Sequence, residues 1–358
     1  MPIARIPLAQ PIESRDGSLI KDSRVINCVF ETKNGQQRVV KRPGLSSPDS
    51  TPPGIDLSGS VVTSPTLVVL ANGLLTNYSI DSGVSWTAGS SSSSQDWQDV
   101  AWSGSIFAAV NRASAIAQTS PDGITWTSRT LPASLDWGSI TYGLGKFIAL
   151  PGYISGTNVC ATSSDGVTWT SRTMASTQGW VDVVAGIGNY CAISKFPGTS
   201  TLLDSDVCAT SSDGITWVDH TLPTAQRWNA IAWNGAVFCA VGLGAGDINT
   251  NVCATSSDGV TWTSRTMASS GKWLDITWNG NVFCAVNQNT IIAATSPDGV
   301  TWTDNNLPFV RPWARIGWDG TVFCALPLDG STLCATSPEG AVWTARTFTP
   351  TFGGQAVS

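Results

Sequence analysis

From Arg227 to Asp258 the chain alternates in a short, regular way. "RWNAIAW" places apolar and polar residues on opposite sides of an extended strand, "NG" is a hairpin turn, and "AVFCAVG" is a short apolar strand. A Gly-rich loop follows, then "NVCATS", an Asp-Gly turn and "VTWTSRTM". The period is two throughout and no helical period emerges. The pattern predicts four short antiparallel strands within about 45 residues.

The unit recurs. "NVCATSSDGVTWTSRTMAS" stands at Asn158–Ser176 and again at Asn251–Ser269. Boxes ending in Trp occur at Ser79–Trp86, Ser120–Trp126, Ser163–Trp169, Ser211–Trp217, Ser256–Trp262, Ser296–Trp302 and Ser337–Trp343, with Trp-to-Trp steps of 40, 43, 48, 45, 40 and 41. A second Trp follows eleven residues after each of the first six (Trp97, Trp137, Trp180, Trp228, Trp273, Trp313), with Gly354 there in the seventh. A third follows five later in four repeats (Trp102, Trp233, Trp278, Trp318), which uses all 17 tryptophans. Every Trp thus belongs to the repeat and none is set aside for a private active site. Four-stranded units at this period build a propeller, because one unit alone cannot bury its apolar face. The expected fold is all-β: a seven-bladed β-propeller of four-stranded antiparallel blades, with an N-terminal β-hairpin arm.

The boxes resemble the Asp-box repeat of sialidases and other propellers. Ser79, Asp81, Gly83, Ser85 and Trp86 fit its form directly; the other six boxes lack the residue between Asp and Gly, and the seventh has Glu339 for Asp. In that family the box is a structural hairpin away from any active site. The side chains agree with that role. Ser and Asp bond local backbone, Gly takes a positive φ, and Trp packs between blades.

Two domains are expected: 1–54, a docking arm with a Ser/Pro-rich linker, and 55–358, the propeller. The first blade lacks a "W..I.W" strand, and the C-terminal strand 353–358 is expected to close the ring, with Asp56–Val62 as the alternative. Charge separates the two parts. Residues 1–50 hold eight Lys/Arg against five Asp/Glu, net +3, and the rest holds eleven against twenty, net −9. An acidic body argues against broad nucleic-acid binding. A basic arm suits acidic protein surfaces, those of other copies among them. No apolar run of about 18 residues suggests a membrane span. The N-terminus has no apolar stretch of about 7–15 residues of the secretory kind, so synthesis in a cytoplasm is expected.

Candidate chemistry is sparse. Cys191, Cys239, Cys284 and Cys324 share a repeat position where Ala108 and Ile148 also stand, and Cys160, Cys208, Cys253 and Cys334 share one with Ala117 and Ala293. Positions that accept Ala or Ile are small buried apolar sites. No CxxC or Cys/His cluster suggests zinc. His220, the single histidine, stands where other repeats have Arg129, Arg172 and Arg265, and reads as an outer-strand surface residue. A sialidase needs a Tyr–Glu pair, yet glutamate is confined to Glu13, Glu31 and Glu339. No catalytic residue, metal or cofactor is expected.

The arm adds a second resemblance. "MPI..IPL", the Asn-Cys strand at Asn27–Cys28, the hairpin around Asn34-Gly35 and the closing Arg42-Pro43-Gly44 are similar to the N-termini of packaged-DNA stabilisation, or tail-nozzle, proteins of short-tailed phages. That resemblance, over about fifty residues, implies copies ringed below a portal, with Arg38, Lys41 and Arg42 in the subunit contact. It implies a non-enzymatic virion component located in the tail, with other copies and tail or portal proteins as partners. A carbohydrate-binding propeller that stacks exposed Trp on surface glycans is the alternative, and a glycosidase working through aspartates is a third reading.

Overall fold

The computed structural model describes residues 12–13, 19–20, 28–33, 36–41, 60–63, 66–70, 73–152, 156–198, 200, 203–329 and 331–347, with side chains from residue 77 onward. The chain divides into two units, residues 1–50 and 51–358. In the first, Cys28–Lys33 and Gln36–Lys41 form an antiparallel pair that sets Phe30 opposite Val39 and Glu31 opposite Arg38.

The second unit is built from antiparallel sheets whose strands follow one another in chain order. Four-stranded sheets cover residues 60–95, 97–135, 273–311 and 313–347, and a ten-stranded sheet covers 137–271. Two strands of that larger sheet, Thr170–Ala185 and Val218–Trp233, are 16 residues long. Each is the outermost strand of one four-stranded group and continues as the innermost strand of the next. Elsewhere one residue (Asp96, Asp136, Lys272 or Pro312) separates those roles.

The innermost strand of the first sheet is Ser60–Thr63, which pairs with Thr66–Leu70. It lies beside Trp313–Trp318, the innermost strand of the last sheet. Trp86, from the first sheet's turn, is buried in one cluster with Trp313, Phe323 and Trp343. The first and last sheets are therefore neighbours. The terminal segment 353–358 lies outside the described residues.

Packing between sheets follows from the repeat. Trp137, Trp180, Trp228, Trp273 and Trp313 stand at the same place on the inner strands and are fully buried, as are the ring residues Phe107, Phe147, Tyr190, Phe238, Phe283 and Phe323 of the second strands. Large aromatic side chains carry much of the area that such interfaces remove from water. The two cysteine positions lie in the same layer, and all eight described cysteines are free and buried. Burial raises the thiol pKa values of Cys160 and Cys208 to about 12, so neither is a thiolate at neutral pH.

In six boxes the Ser hydroxyl donates to the Asp carboxylate of the same turn. In Ser256–Trp262 the Ser256 hydroxyl donates to Asp258 Oδ1 (2.9 Å), and the Gly259 amide donates to Ser256 Oγ (2.9 Å). Asp258 Oδ1 also accepts the Val260 and Thr261 amides at 2.8 Å, and the Trp262 indole donates to the Gly259 carbonyl (3.0 Å). These bonds hold the aspartates ionised: the Thr216 and Ile215 amides bring Asp213 down to about 2. One further bond repeats across the outer two strands. Arg129, Arg172, Arg265 and Arg346 donate from Nε to Thr119, Thr162, Thr255 and Thr336. His220 and Asn305 stand in their place against Thr210 and Thr295. The architecture is a β-propeller.

Candidate functional site at the inner strands

Two residues after the buried Trp, the inner strands carry Asp99, Ser139, Asp182, Ala230, Asp275 and Arg315. A register shift at this point separates the Trp from that residue in each of these strands for which pairing is seen, such as between Trp273 and Asp275. The backbone bends there and re-aims the side chain. The three aspartates fall in alternate four-stranded groups, and each joins its own group to the next.

Asp99 accepts the Val100 amide on Oδ1 and the Ile140 amide on Oδ2, both at 2.8 Å. Asp182 accepts Val183 and Ile231 in the same way at 2.8 Å, and also the Ser139 hydroxyl at 3.0 Å. Asp275 accepts Ile276 and Ile316 at 2.8 Å. Each carboxylate thus has one oxygen on its own strand and one on the neighbour's.

Their electrostatics are unusual. Burial pushes Asp99 up to about 7, with the Asp182 charge adding to the rise and the amide bonds opposing it. Burial pushes Asp182 up to about 6, and Asp275 well above the ordinary range. The positive charge of Arg315 acts on all three in the opposite direction. Arg315 donates from Nη1 to the Ala314 carbonyl (3.2 Å), and its Nε is buried without a hydrogen-bond partner. Beside them Lys195 donates to Asn229 Oδ1 (2.9 Å), and Asn229 reaches the Leu274 carbonyl (2.5 Å). Burial brings Lys195 down to about 8. Arg227 pairs with Asp204 (3.2 Å) and Asp247 and lies 5.1 Å from the Phe196 ring. The cluster can bind and release protons near neutrality. Its carboxylate oxygens are already engaged in joining strands.

Of the residues singled out from sequence, Arg38 and Lys41 lie in Gln36–Lys41, opposite Glu31 and Cys28. Their side chains, and Arg42 altogether, lie outside the described residues. His220 bonds Thr210 within the outer strands, apart from the aspartates. Fourteen of the 17 tryptophans are buried, and Trp102, Trp262 and Trp278 are half-buried. Among the described residues no group of three or more His, Cys, Asp or Glu could hold a metal ion, and no helix is long and apolar enough to cross a membrane. The three inner aspartates were missed by sequence reasoning. Their signal is "WQD", "WVD" and "WLD" at Trp97, Trp180 and Trp273.

No family model matches the chain, and no curated protein matches it. Solved structures do. A catalytically inactive virginiamycin B lyase from Staphylococcus aureus with quinupristin has a TM-score of 0.64 at 11% identity, over 76% of this chain and 92% of that one. A streptogramin B lyase has a TM-score of 0.59 at 9% identity, over 71% and 83%. YCF48 bound to D1 peptide has a TM-score of 0.53 at 12% identity, over 79% and 84%. At these identities the likeness is one of fold, and the fold common to them and to this chain is the β-propeller.

Proposed function

We propose that the protein is a non-enzymatic scaffold: a seven-bladed propeller that assembles with other copies through its N-terminal arm, as a structural part of a tailed-phage tail at the nozzle, hub or head-to-tail connector. The observation that carries the scaffold reading is the use made of the inner aspartates. The carboxylates best placed for chemistry have both oxygens committed to backbone amides of two adjacent groups. They stiffen a disc. The count of seven rests on the seven boxes and on the four-stranded groups between residues 60 and 347, three of them within the ten-stranded sheet. The Asp-box reading is supported by the Ser–Asp–Gly–Trp bonds of the turns. The virion reading rests on the sequence of the arm.

The test is electron microscopy of the full-length protein beside a version lacking residues 1–50. Rings from the full chain and single discs from the shortened one are expected. Single discs from both, with and without a portal protein, would remove the assembly role.

A further inference from the structure

Residues 51–358 hold eleven Lys and Arg. Seven have partners in outer strands, turns and loops. Arg129, Arg172, Arg265 and Arg346 bond threonines of the outer strands. Lys146 donates to the Asp213 carbonyl, and Arg112 and Arg311 pair with Asp96 and Asp329. The other four are Lys195, Arg227, Lys272 and Arg315. They come from four successive groups, those of Trp180, Trp228, Trp273 and Trp313.

All four lie at the end where the inner strands begin. Arg227 and Lys272 immediately precede Trp228 and Trp273, and Arg315 follows Trp313 by two residues. Lys195 stands between Ser194 and Phe196, which pair with Trp180 and Gly179. Their charges reach one another. Burial lowers the Lys195 pKa to about 8; the Asp247 carboxylate opposes this, and the charges of Arg227, Arg315 and Lys272 add to it.

Their satisfaction is uneven. Arg227 is neutralised by Asp204 and Asp247. Lys272 and Arg315 form no ion pair among the described residues. A guanidinium has five N–H donors. Arg315 uses Nη1 on the Ala314 carbonyl (3.2 Å), and its buried Nε has no partner. The inner aspartates act on Arg315 through charge alone, because their oxygens accept backbone amides. A buried donor left unbonded is costly.

The floor beside these cations is apolar. Leu243, Leu274 and Ala314 form a small buried cluster of their own, and Leu274 and Ala314 immediately precede Asp275 and Arg315. Asn229, which accepts from Lys195, also bonds the Leu274 carbonyl. Charges beside such a floor are weakly screened.

We propose that Arg315, Lys195 and Lys272 form a binding site for an oxyanion, a carboxylate or a phosphate, where the inner strands begin. Arg315 supplies the planar fork that suits such a group, and the two ammonium groups supply the remaining charge. The site is independent of assembly through the arm.

The experiment uses the full-length protein. Isothermal titration with inorganic phosphate, and separately with acetate, is run at constant ionic strength on the wild type, Arg315→Lys, Lys272→Gln and Arg112→Gln. Arg315→Lys keeps the charge and removes the fork. A thermal melt checks each fold, and the half-buried Lys272→Gln carries the comparison if Arg315→Lys does not fold. The side-chain Nε–H signal of Arg315 is followed by NMR in the same titrations. Saturable binding of at least one anion is expected, with a saturable shift of the Arg315 signal, and the tighter of the two identifies the head group. Arg315→Lys and Lys272→Gln should each weaken it at least about tenfold, as losing a hydrogen bond to a charged group does, while Arg112→Gln stays within about twofold. An Arg315 signal that both anions leave unmoved would overturn the proposal. So would equal weakening in Arg112→Gln, which would mean that anions only screen the surface.

Discussion

A glycine in each turn does two jobs at once. Gly299 has φ +74°, and a Cβ there would stand 2.8 Å from Thr255 Cγ2 and 3.3 Å from Cys239 Sγ in the preceding group. Gly280, in a hairpin turn, has φ +95° and nothing within 4 Å of the same point. Alanine at either position bears the left-handed backbone cost of about 1–2 kcal/mol. Only Gly299→Ala must also push apart two groups, a further ~1–3 kcal/mol. Chemical denaturation should therefore show Gly299→Ala less stable than Gly280→Ala by at least about 1 kcal/mol; equal losses would mean that the turn does not press on its neighbour. The cysteine position is legible from the same contact. An apolar residue lies under the turn glycine, and Cys, Ala and Ile share that place along the sequence.

Strands and their junctions were partly legible. The alternation, the Asn-Gly and Asp-Gly turns and the Trp spacing mark each four-stranded group, because those signals are local. The inner aspartates left no such mark. "WQD" and "WLD" look like any alternating strand, the intervening residue varies from Gln98 to Leu274, and the partners Ile140, Ile231 and Ile316 contribute only backbone. Nothing local says that these carboxylates reach across to another group. Replacing Asp275 by Ala should free two amides in two different strands. Hydrogen exchange at Ile276 and Ile316 is expected to speed up together, while the Ile231 amide, held by Asp182, keeps its rate. Faster exchange at Ile276 alone would show that the junction is held by other means. The long strands Thr170–Ala185 and Val218–Trp233 were not foreseen either; Gly179 and Arg227 before the buried Trp give no cue that distinguishes them from Asp136 or Lys272.

For the whole molecule the two sets of carboxylates act in opposite directions with pH. Turn aspartates such as Asp213 have folded pKa values below their ordinary 3.8, so their contribution is present above about pH 4 and is lost as pH falls toward 2. Asp99 and Asp182 have folded values raised to about 7 and about 6, so the folded state holds their protons more tightly. Stability from this source is greatest at the acid end and declines as pH rises from about 4 to 7. The melting temperature is expected to peak in mild acid, near pH 4–5, to drop steeply below and gently above, and to level off past pH 7. A melting temperature that climbs steadily from pH 4 to 8 would show that Arg315 and the amide bonds outweigh burial at the axis.

The two 16-residue strands have a mechanical meaning. At those junctions covalent backbone in continuous ladder geometry carries one group into the next, whereas at Asp96, Asp136, Lys272 and Pro312 the ladder breaks. A disc pulled apart by its ends should give way first at the broken ladders, shedding its flanks one at a time. The stretch from residue 137 to 271 would then yield last and together, as a single step of about 135 residues, so the middle of the molecule would stay intact longest.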